Sequence, residues 1–244
     1  MEIKNKKILI TGGATRLGKV LTMELLQSGA EVFCHYNNNK NGADQIQNSA
    51  AASNQKFHLF QADFTSTQST NETIDTIIQE AEYFDILINN AAIFFKTPIE
   101  EINEHEWDQL FSINLKTPFF ISKKIGLIMK KRGSGKIINI GDTSGLNIWK
   151  QYIPYSITKS GIIAMTKGLA KALAPEVLVN CINPGPVLLP DYFGESETNQ
   201  ALNKTLLKKA GSPSDIAQTV KYIIEGTDYL TGNIINVDGG RSIN

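Results

Sequence analysis

Seven short and nearly continuous apolar runs recur along the chain. Strands covered on both faces of a parallel sheet are apolar at almost every position, so each run predicts a buried β-strand. The predicted strands centre on Ile8–Ile10, Val32–His35, Phe57–Phe60, Ile86–Asn89, Lys136–Ile140, Val177–Ile182 and Ile234–Val237.

Longer stretches with helical spacing separate these runs. Between the first two runs, Leu17, Leu21 and Leu25 recur at helical intervals, and Gly29 marks the end of the helix. Strand–helix alternation over the whole length predicts right-handed crossovers. We therefore expect an α/β fold: one doubly wound (Rossmann) domain over residues 1–244, with a seven-stranded parallel sheet and helices on both faces. Further helices are predicted over residues 41–52, 69–82, 104–131, 155–173 and 213–225.

The least regular stretch begins at Pro184 and ends at about Lys204. Glycine, proline and polar residues interrupt its pattern, which is typical of a loop. Its place after the sixth strand puts it over the carboxyl ends of the strands. We expect a substrate lid at about residues 186–204.

Composition and charge exclude several classes of partner. The 24 basic and 24 acidic residues give a formal charge of zero, which favours neither nucleic acid nor an anionic membrane as a partner. No stretch is long and apolar enough to span a bilayer, and the start carries no secretory pattern. Cys34 and Cys181 lie in apolar runs and are expected to be reduced core residues. We expect a cytoplasmic protein that acts on a small molecule, and we predict no metal site.

A glycine-rich turn follows the first strand and opens the first helix. The segment from Thr11 to Gly18 contains three glycines, which permit a tight turn and a close approach of the backbone to a ligand. The free N–H groups of the helix N-terminus favour a pyrophosphate there. The alternative is a glycine-rich turn with no ligand.

A second group of residues has the chemistry of a catalytic site. Tyr155 and Lys159 are four apart in a predicted helix, so they share one face, and a cation beside a phenol favours the phenolate. Asn114 lies in a predicted helix interior, where a buried amide needs partners. The alternatives are an exposed pair on a helix face and a structural amide.

The order and spacing of these residues resemble the short-chain dehydrogenase/reductase family. The resemblance extends from Thr11 to Gly240 and also rests on the segments 89–92, 183–185 and 238–240. It implies that Tyr155 is the general acid, that Lys159 lowers the tyrosine pKa and holds the nicotinamide ribose, and that Asn114 holds a water in a proton relay. It implies the following cofactor-binding residues: Gly12, Thr15, Arg16, Leu17, Gly18, His35, Tyr36, Asn37, Asn38, Asp63, Phe64, Asn90, Ala91, Ala92, Tyr155, Lys159, Pro184, Gly185 and Val187.

Three departures from the common family pattern indicate one branch. Arg16 replaces the middle glycine of the turn, the second strand ends without an acidic residue, and Asp142 takes the place of a serine. Together with Phe94 these features resemble the pteridine reductases, which pair Asp, Tyr and Lys, use NADPH and stack a pterin on a phenylalanine. The resemblance implies that Asp142 is catalytic and that Arg16, Phe94, Asp142 and Tyr155 contact the substrate.

The function that this resemblance implies is NADPH-dependent reduction of a pterin C=N bond by hydride transfer. The 2′-phosphate of the cofactor is expected to be surrounded by hydrogen-bond donors and positive charge. These come from Arg16 and, at the end of the second strand, from His35, Tyr36, Asn38, Asn39 and Lys40.

Alternatives remain at this stage. An NADPH-dependent carbonyl reductase, such as a 3-oxoacyl thioester reductase, shares the fold but would favour a hydroxyl at position 142. A non-enzymatic relative would be expected to lose Tyr155, Lys159 or Asn114. Asp142 could instead cap the turn that it begins. The resemblance further implies a homotetramer, with the helices at 104–131 and 155–173 forming one interface.

Overall fold

The computed structural model describes residues 1–189 and 193–244. The seven predicted strands form one sheet in the order β3-β2-β1-β4-β5-β6-β7, and each neighbouring pair is parallel. The doubly wound parallel sheet is therefore confirmed. The strands are β1 (Lys7–Thr11), β2 (Glu31–Tyr36), β3 (Phe57–Gln61), β4 (Ile86–Asn89), β5 (Gly135–Ile140), β6 (Val177–Pro184) and β7 (Ile234–Val237).

Helices cover both faces of this sheet, and two apolar clusters of buried side chains fill the two layers. None of the helices within the described residues is long and apolar enough to cross a membrane. The α-helices are α1 (Arg16–Gln27), α2 (Lys40–Ala52), α3 (Thr67–Ala81), α4 (Glu104–Phe111), α5 (Thr117–Arg132), α6 (Ile153–Leu173), α7 (Glu195–Asn203) and α8 (Pro213–Lys221).

The helix predicted over 104–131 is confirmed as a helical stretch over residues 104–132, but its middle is π-helical instead of α-helical. A π-helical turn, Ser112–Lys116, separates α4 from α5. Pro118 follows directly and has no N–H to donate, so the regular hydrogen-bond ladder cannot continue through this point. A second π-helical turn, Tyr222–Gly226, extends α8. Both wide turns interrupt stretches whose apolar spacing looks uniformly helical.

Part of the predicted irregular lid is also wrong, because α7 occupies it. None of the residues of α7 is buried, so its sequence carries no apolar stripe that would reveal a helix. Glu197 helps to fix the helix, since its carboxylate accepts a hydrogen bond from the Gly194 N–H at 3.3 Å and pairs with Lys96 at 2.8 Å. Residues 190–192 of the predicted lid lie outside the described residues.

The parallel register aligns the ends of the central strands. Ile10 of β1 pairs with Ile88 of β4, and Ile88 pairs with Ile138 of β5. The segments that follow these strands therefore emerge side by side at one edge of the sheet, where ligands bind in open α/β folds.

Candidate active site

The turn after β1 fits closely against the segment after β4. Gly12 has a φ of 64°, and a Cβ placed there would lie 2.9 Å from the Cα of Ala91. A Cβ on Gly18 would collide with the carbonyl oxygen of Gly12. The Asn90 side chain closes the junction by donating to the carbonyls of Thr11 at 2.9 Å and Gly12 at 3.1 Å. Glycines at these two positions therefore allow the backbone itself to line a cleft.

This cleft, of about 490 Å³, is lined by all of the predicted cofactor-binding residues except Asp63. Asp63 is exposed, and its Oδ1 accepts a hydrogen bond from the Thr65 N–H at 2.9 Å. Its role toward an adenine group stays a prediction. The sequence analysis missed Ile93 and Ile113, which also line the cleft. Neither carries a signal beyond being apolar.

His35 supports the turn and does not provide charge to the cleft. Its Nδ1 accepts from the Gly12 N–H at 3.2 Å, its Nε2 lies 3.0 Å from the carbonyl oxygen of Ala62, and its ring stacks on Phe64. Burial lowers the pKa of His35 to about 4, so the imidazole is neutral at physiological pH. The prediction that His35 adds a donor and positive charge for a phosphate is therefore wrong.

Two other predicted phosphate ligands have partners elsewhere. The Asn39 side chain caps α2 by accepting from the Gly42 N–H at 3.1 Å and donates to the carbonyl of Ala14 at 3.1 Å. Lys40 lies 3.4 Å from Asp44 in an exposed pair one helical turn apart. Tyr36, Asn37, Asn38 and Asn39 line the cleft at this end, and Arg16 lines it as well.

Arg16 joins the turn to the segment after β6. Its φ of 47° is in the left-handed region, where the family pattern has glycine. Its Nη2 donates to the carbonyls of Leu188 at 2.8 Å and Leu189 at 3.0 Å. Its side chain also lines a second cavity that adjoins the cleft.

Tyr155, Lys159 and Asp142 meet where these two cavities join. The first turns of α6 place Tyr155 and Lys159 on one face, and both are buried. The Tyr155 hydroxyl donates to Asp142 Oδ2 at 3.1 Å. The Lys159 Nζ donates to the carbonyl of Ile140 at 3.0 Å and lies 5.6 Å from the centroid of the Tyr155 ring.

The electrostatics of this group differ from the prediction. Burial, together with the charge and hydrogen bond of Asp142, raises the pKa of Tyr155 well above its ordinary value. Burial lowers the pKa of Lys159, and the Asp142 charge partly offsets this effect. The pKa of Tyr155 is therefore shifted in the direction opposite to the expected one, and a lowering of it by Lys159 stays a prediction. Tyr155 retains its proton, as a general acid must before it donates.

Asp142 has two roles in the structure, one for each oxygen. Its Oδ1 accepts from the Ser144 N–H at 2.7 Å and caps the short 3₁₀ turn Thr143–Gly145. Its Oδ2 accepts from Tyr155. The capping alternative is therefore correct, but it accounts for only half of the carboxylate.

Asn114 is buried inside the π-helical turn between α4 and α5. Its Oδ1 accepts from the Ile93 N–H at 2.9 Å, and its Nδ2 donates to the Ile93 carbonyl at 3.0 Å. A weaker contact of 3.4 Å links Nδ2 to Thr158. The amide thus fixes the backbone that follows β4, and its predicted role in holding a water stays a prediction.

The second cavity is a chamber of about 1040 Å³ with aromatic side chains in its wall. Phe94 stacks on Tyr152 with centroids 4.5 Å apart, and it meets Tyr155 edge-on at 4.8 Å and Trp149 edge-on at 6.3 Å. Tyr152 covers one face of Phe94, so a flat ligand that stacks on this ring would have to use the opposite face. The sequence analysis missed Trp149, Tyr152 and Arg241, which also line the chamber.

The family model of short chain dehydrogenases matches residues 6–201. The chain belongs to the short chain dehydrogenase family, and with it to the oxidoreductases. It is 29% identical to the 3-oxoacyl-[acyl-carrier-protein] reductase FabG of Thermotoga maritima over 247 residues, which cover 100% of both chains.

Two solved structures superpose closely on the chain. FolM Alternative dihydrofolate reductase 1 from Brucella canis, complexed with NADP, gives a TM-score of 0.92 at 27% identity and covers 100% of this chain and 96% of its own. A blue fluorescent protein from a metagenomic library, in complex with NADPH, gives a TM-score of 0.91 at 27% identity over 99% and 100% of the two chains. Solved proteins of different names therefore share this architecture.

The fit between the two glycines and the chain around them predicts a stability effect. Gly18→Ala should lower the free energy of unfolding by about 1–3 kcal/mol, because its methyl group meets the Gly12 carbonyl. Gly168→Ala is the matched control: Gly168 lies exposed in α6 with no heavy atom within 4 Å of an added Cβ. It should be neutral or stabilising by up to about 1 kcal/mol. Denaturant unfolding of both variants measures the difference, and equal effects would contradict the close fit.

Proposed function

We propose that the protein is an NADPH-dependent reductase that reduces the C=N bond of a dihydropterin. The observation that carries the proposal is the hydrogen bond from Tyr155 to Asp142 at 3.1 Å. An ionised carboxylate only accepts hydrogen bonds, so it cannot donate one to a ketone oxygen, and it repels the negative charge that develops there. In pterin reduction the proton goes to a ring nitrogen instead, so a carboxyl group that exchanges a proton with the phenol suits the reaction.

The cleft fits a dinucleotide phosphate. Backbone without side chains at Gly12 and Gly18 lets a pyrophosphate approach the N-terminus of α1 closely. Asp142 is the only carboxylate among the described residues that line the cleft, and it lies away from the end of β2. Arg16, Tyr36 and Asn38 would therefore meet the 2′-phosphate without repulsion. The solved relatives that hold NADP or NADPH support this cofactor.

The chain's own residues hold and move protons in this reaction. When bound, the cofactor would supply a hydride to the carbon of the C=N bond. Tyr155 Oη would donate its proton to the adjacent nitrogen. Asp142, after taking up a proton from the chamber, would return one to the Tyr155 oxygen. Lys159 would hold the ribose and stabilise the transient negative charge on the phenol. The face of Phe94 opposite Tyr152 would orient the flat heterocycle.

A carbonyl reductase is the second candidate. It is favoured by the full-length match to the 3-oxoacyl-[acyl-carrier-protein] reductase FabG. The two candidates share fold, cofactor and tyrosine, and they differ in what position 142 must do. The test of the proposal is NADPH oxidation by the purified protein, measured in parallel with dihydropterins, dihydrofolate and an acetoacetyl thioester. Preference for the thioester would decide for the second candidate.

The cleft predicts a preference for NADPH over NADH. Arg16→Gly should raise the apparent constant for NADPH more than that for NADH, because it removes a cation near the 2′-phosphate. Arg16 also holds Leu188 and Leu189, so loss of that role alone should raise both constants by the same factor. Initial rates with the two cofactors measure the ratio. Equal use of both cofactors by the unmodified protein would exclude the preference.

Tyr155 is predicted to be the general acid. Tyr155→Phe keeps the ring in its place and removes the proton, so turnover should fall by roughly a hundredfold to ten-thousandfold. Lys159→Ala should be at least as damaging, since it also removes the ribose contact. NADPH binding, followed by fluorescence, should persist in Tyr155→Phe. An active Tyr155→Phe protein at saturating substrate would refute the assignment.

Asp142 is predicted to select between the two substrate classes. Asp142→Ser should sharply lower dihydropterin reduction but spare or improve reduction of an activated ketone, because a hydroxyl donates to a ketone oxygen. Asp142→Asn is the matched control for structure: its amide oxygen can still cap the turn at Ser144, while the carboxylate is lost. The measurement is the ratio of the two kcat/KM values, with NADPH binding checked in each variant. A parallel fall in both activities would reduce Asp142 to a structural residue.

A further inference from the structure

The chamber wall carries an arginine that the proposed mechanism does not use. Arg241 begins a short 3₁₀ turn, Arg241–Ile243, near the end of the chain. Two glycines with left-handed φ values precede it. The carboxylate of Asp238 holds this turn by accepting from the N–H groups of Gly240 at 2.9 Å and Ser242 at 2.8 Å. The arginine is therefore presented to the chamber from a fixed backbone.

The guanidinium of Arg241 lacks a carboxylate partner among the described residues. Its Nη1 donates to the carbonyl of Ala201 at 2.9 Å, and its central carbon lies 4.8 Å from the centroid of the Trp149 ring. A guanidinium has five N–H donors, and this single carbonyl engages only one of them. Burial lowers the pKa of Arg241, and the charges of Asp142 and Asp238 partly offset this effect. A half-buried cation with unused donors is suited to a ligand with negative oxygens.

The described charges around Arg241 favour an anion in the chamber. The cationic side chains that line it are those of Arg16, Lys96, Lys150, Lys204 and Arg241. The two carboxylates among the described lining residues have partners, since Glu197 pairs with Lys96 and Asp142 accepts from Tyr155. The described lining of the chamber therefore carries more positive than negative charge, which attracts anionic ligands.

An aromatic wall connects the arginine to the reacting end of the chamber. Tyr155 touches Phe94, Phe94 meets Trp149, and Trp149 lies under the guanidinium of Arg241. A flat ring that lies along this wall with its reactive bond at Tyr155 would direct its substituent toward Arg241. A substituent with a carboxylate or phosphate would then complete the hydrogen bonds of the guanidinium.

We propose that Arg241 is the specificity-determining residue of the chamber and binds an anionic group, a carboxylate or a phosphate, on the substituent of the substrate. This proposal rests on the proposed function for the identity of the ring. The other role that the geometry allows is mechanical. Through Ala201, Arg241 would only fasten α7 over the chamber, whatever the charge of the substrate.

Arg241→Gln separates the two roles. Glutamine keeps an amide N–H group and an apolar stem beside Trp149, but it is shorter and has no charge. The test uses three substrates. Dihydroneopterin (the 7,8-dihydro form) has no anionic group, its monophosphate has a phosphate, and dihydrofolate has carboxylates. In the unmodified protein the anionic substrates should have the lower KM. In Arg241→Gln their KM should rise by about tenfold to a hundredfold, with the KM of dihydroneopterin nearly unchanged. Arg241→Lys should restore part of the difference.

The two anionic substrates identify the source of the anion. A change with the monophosphate alone assigns a phosphate, and a change with dihydrofolate alone assigns a carboxylate. Equal changes for charged and uncharged substrates, or no change, would overturn the proposal and leave Arg241 as a fastening of α7.

A second pair of substrates keeps this test independent of the pterin. If the unmodified protein reduces no pterin, the proposed function fails, and the comparison is made with acetoacetyl-coenzyme A and the uncharged acetoacetyl-N-acetylcysteamine. A selective rise in the KM of the coenzyme A thioester in Arg241→Gln would support anion binding by Arg241 while the pterin is rejected. Equal effects on both thioesters would overturn anion binding as well.

Discussion

The parallel direction of the strands is the constraint that places the chemistry of this protein. Parallel strands present all their carboxyl ends at one edge, so the segments after β1, β4, β5 and β6 converge there. They converge closely enough that Gly12 touches Ala91 and Gly185 approaches Asp238 without space for a Cβ. Backbone and small side chains therefore line the cleft at these crossing points, and larger side chains line the rest of it. Among the reactive side chains, Asp142 follows the end of β5, and Tyr155 and Lys159 lie in the first two turns of α6.

Tyr155 and Lys159 are buried together at that edge, and the single carboxylate of Asp142 balances both of them. A buried hydroxyl without a partner and a buried cation without a counter-charge are both costly. Asp142 accepts the hydrogen bond of Tyr155 and opposes the loss of charge on Lys159, while the carbonyl of Ile140 accepts from the lysine. A serine at position 142 could accept the hydrogen bond but could not balance the charge. The charge of Asp142 therefore acts to raise the pKa of both Tyr155 and Lys159. An uncharged hydroxyl at this position would lack that effect.

The features predicted correctly from the sequence are those encoded by local periodicity or by fixed spacing. Each strand has a continuous apolar run, and Tyr155 and Lys159 lie one helical turn apart, so the sheet and this pair were predictable. The helix α7 was not, because it buries no side chain and has no apolar stripe. The neutral state of His35 and the raised pKa of Tyr155 depend on burial by residues distant in the chain. Arg241 reaches the chamber through the turn of β7, and nothing in its local sequence indicates what it faces.

The opposite charges of Asp142 and Arg241 would orient a charged substrate in the chamber. Members of one fold family differ in the walls of their sites rather than in the sheet, and here both charged residues come from segments outside the strands. Asp142, beside the reacting tyrosine, repels an anion, whereas Arg241 on the wall attracts one, and their charges are close enough to interact. Under the proposed role of Arg241, a ring with an anionic substituent would be favoured in one orientation, with its reactive bond at Tyr155. For an uncharged ring this long-range attraction is absent, and stacking on Phe94 fixes the plane of the ring but not which edge faces the tyrosine. If Arg241 binds an anion as proposed, the electrostatic difference between these two ends would help to decide which bond of a flat substrate faces Tyr155.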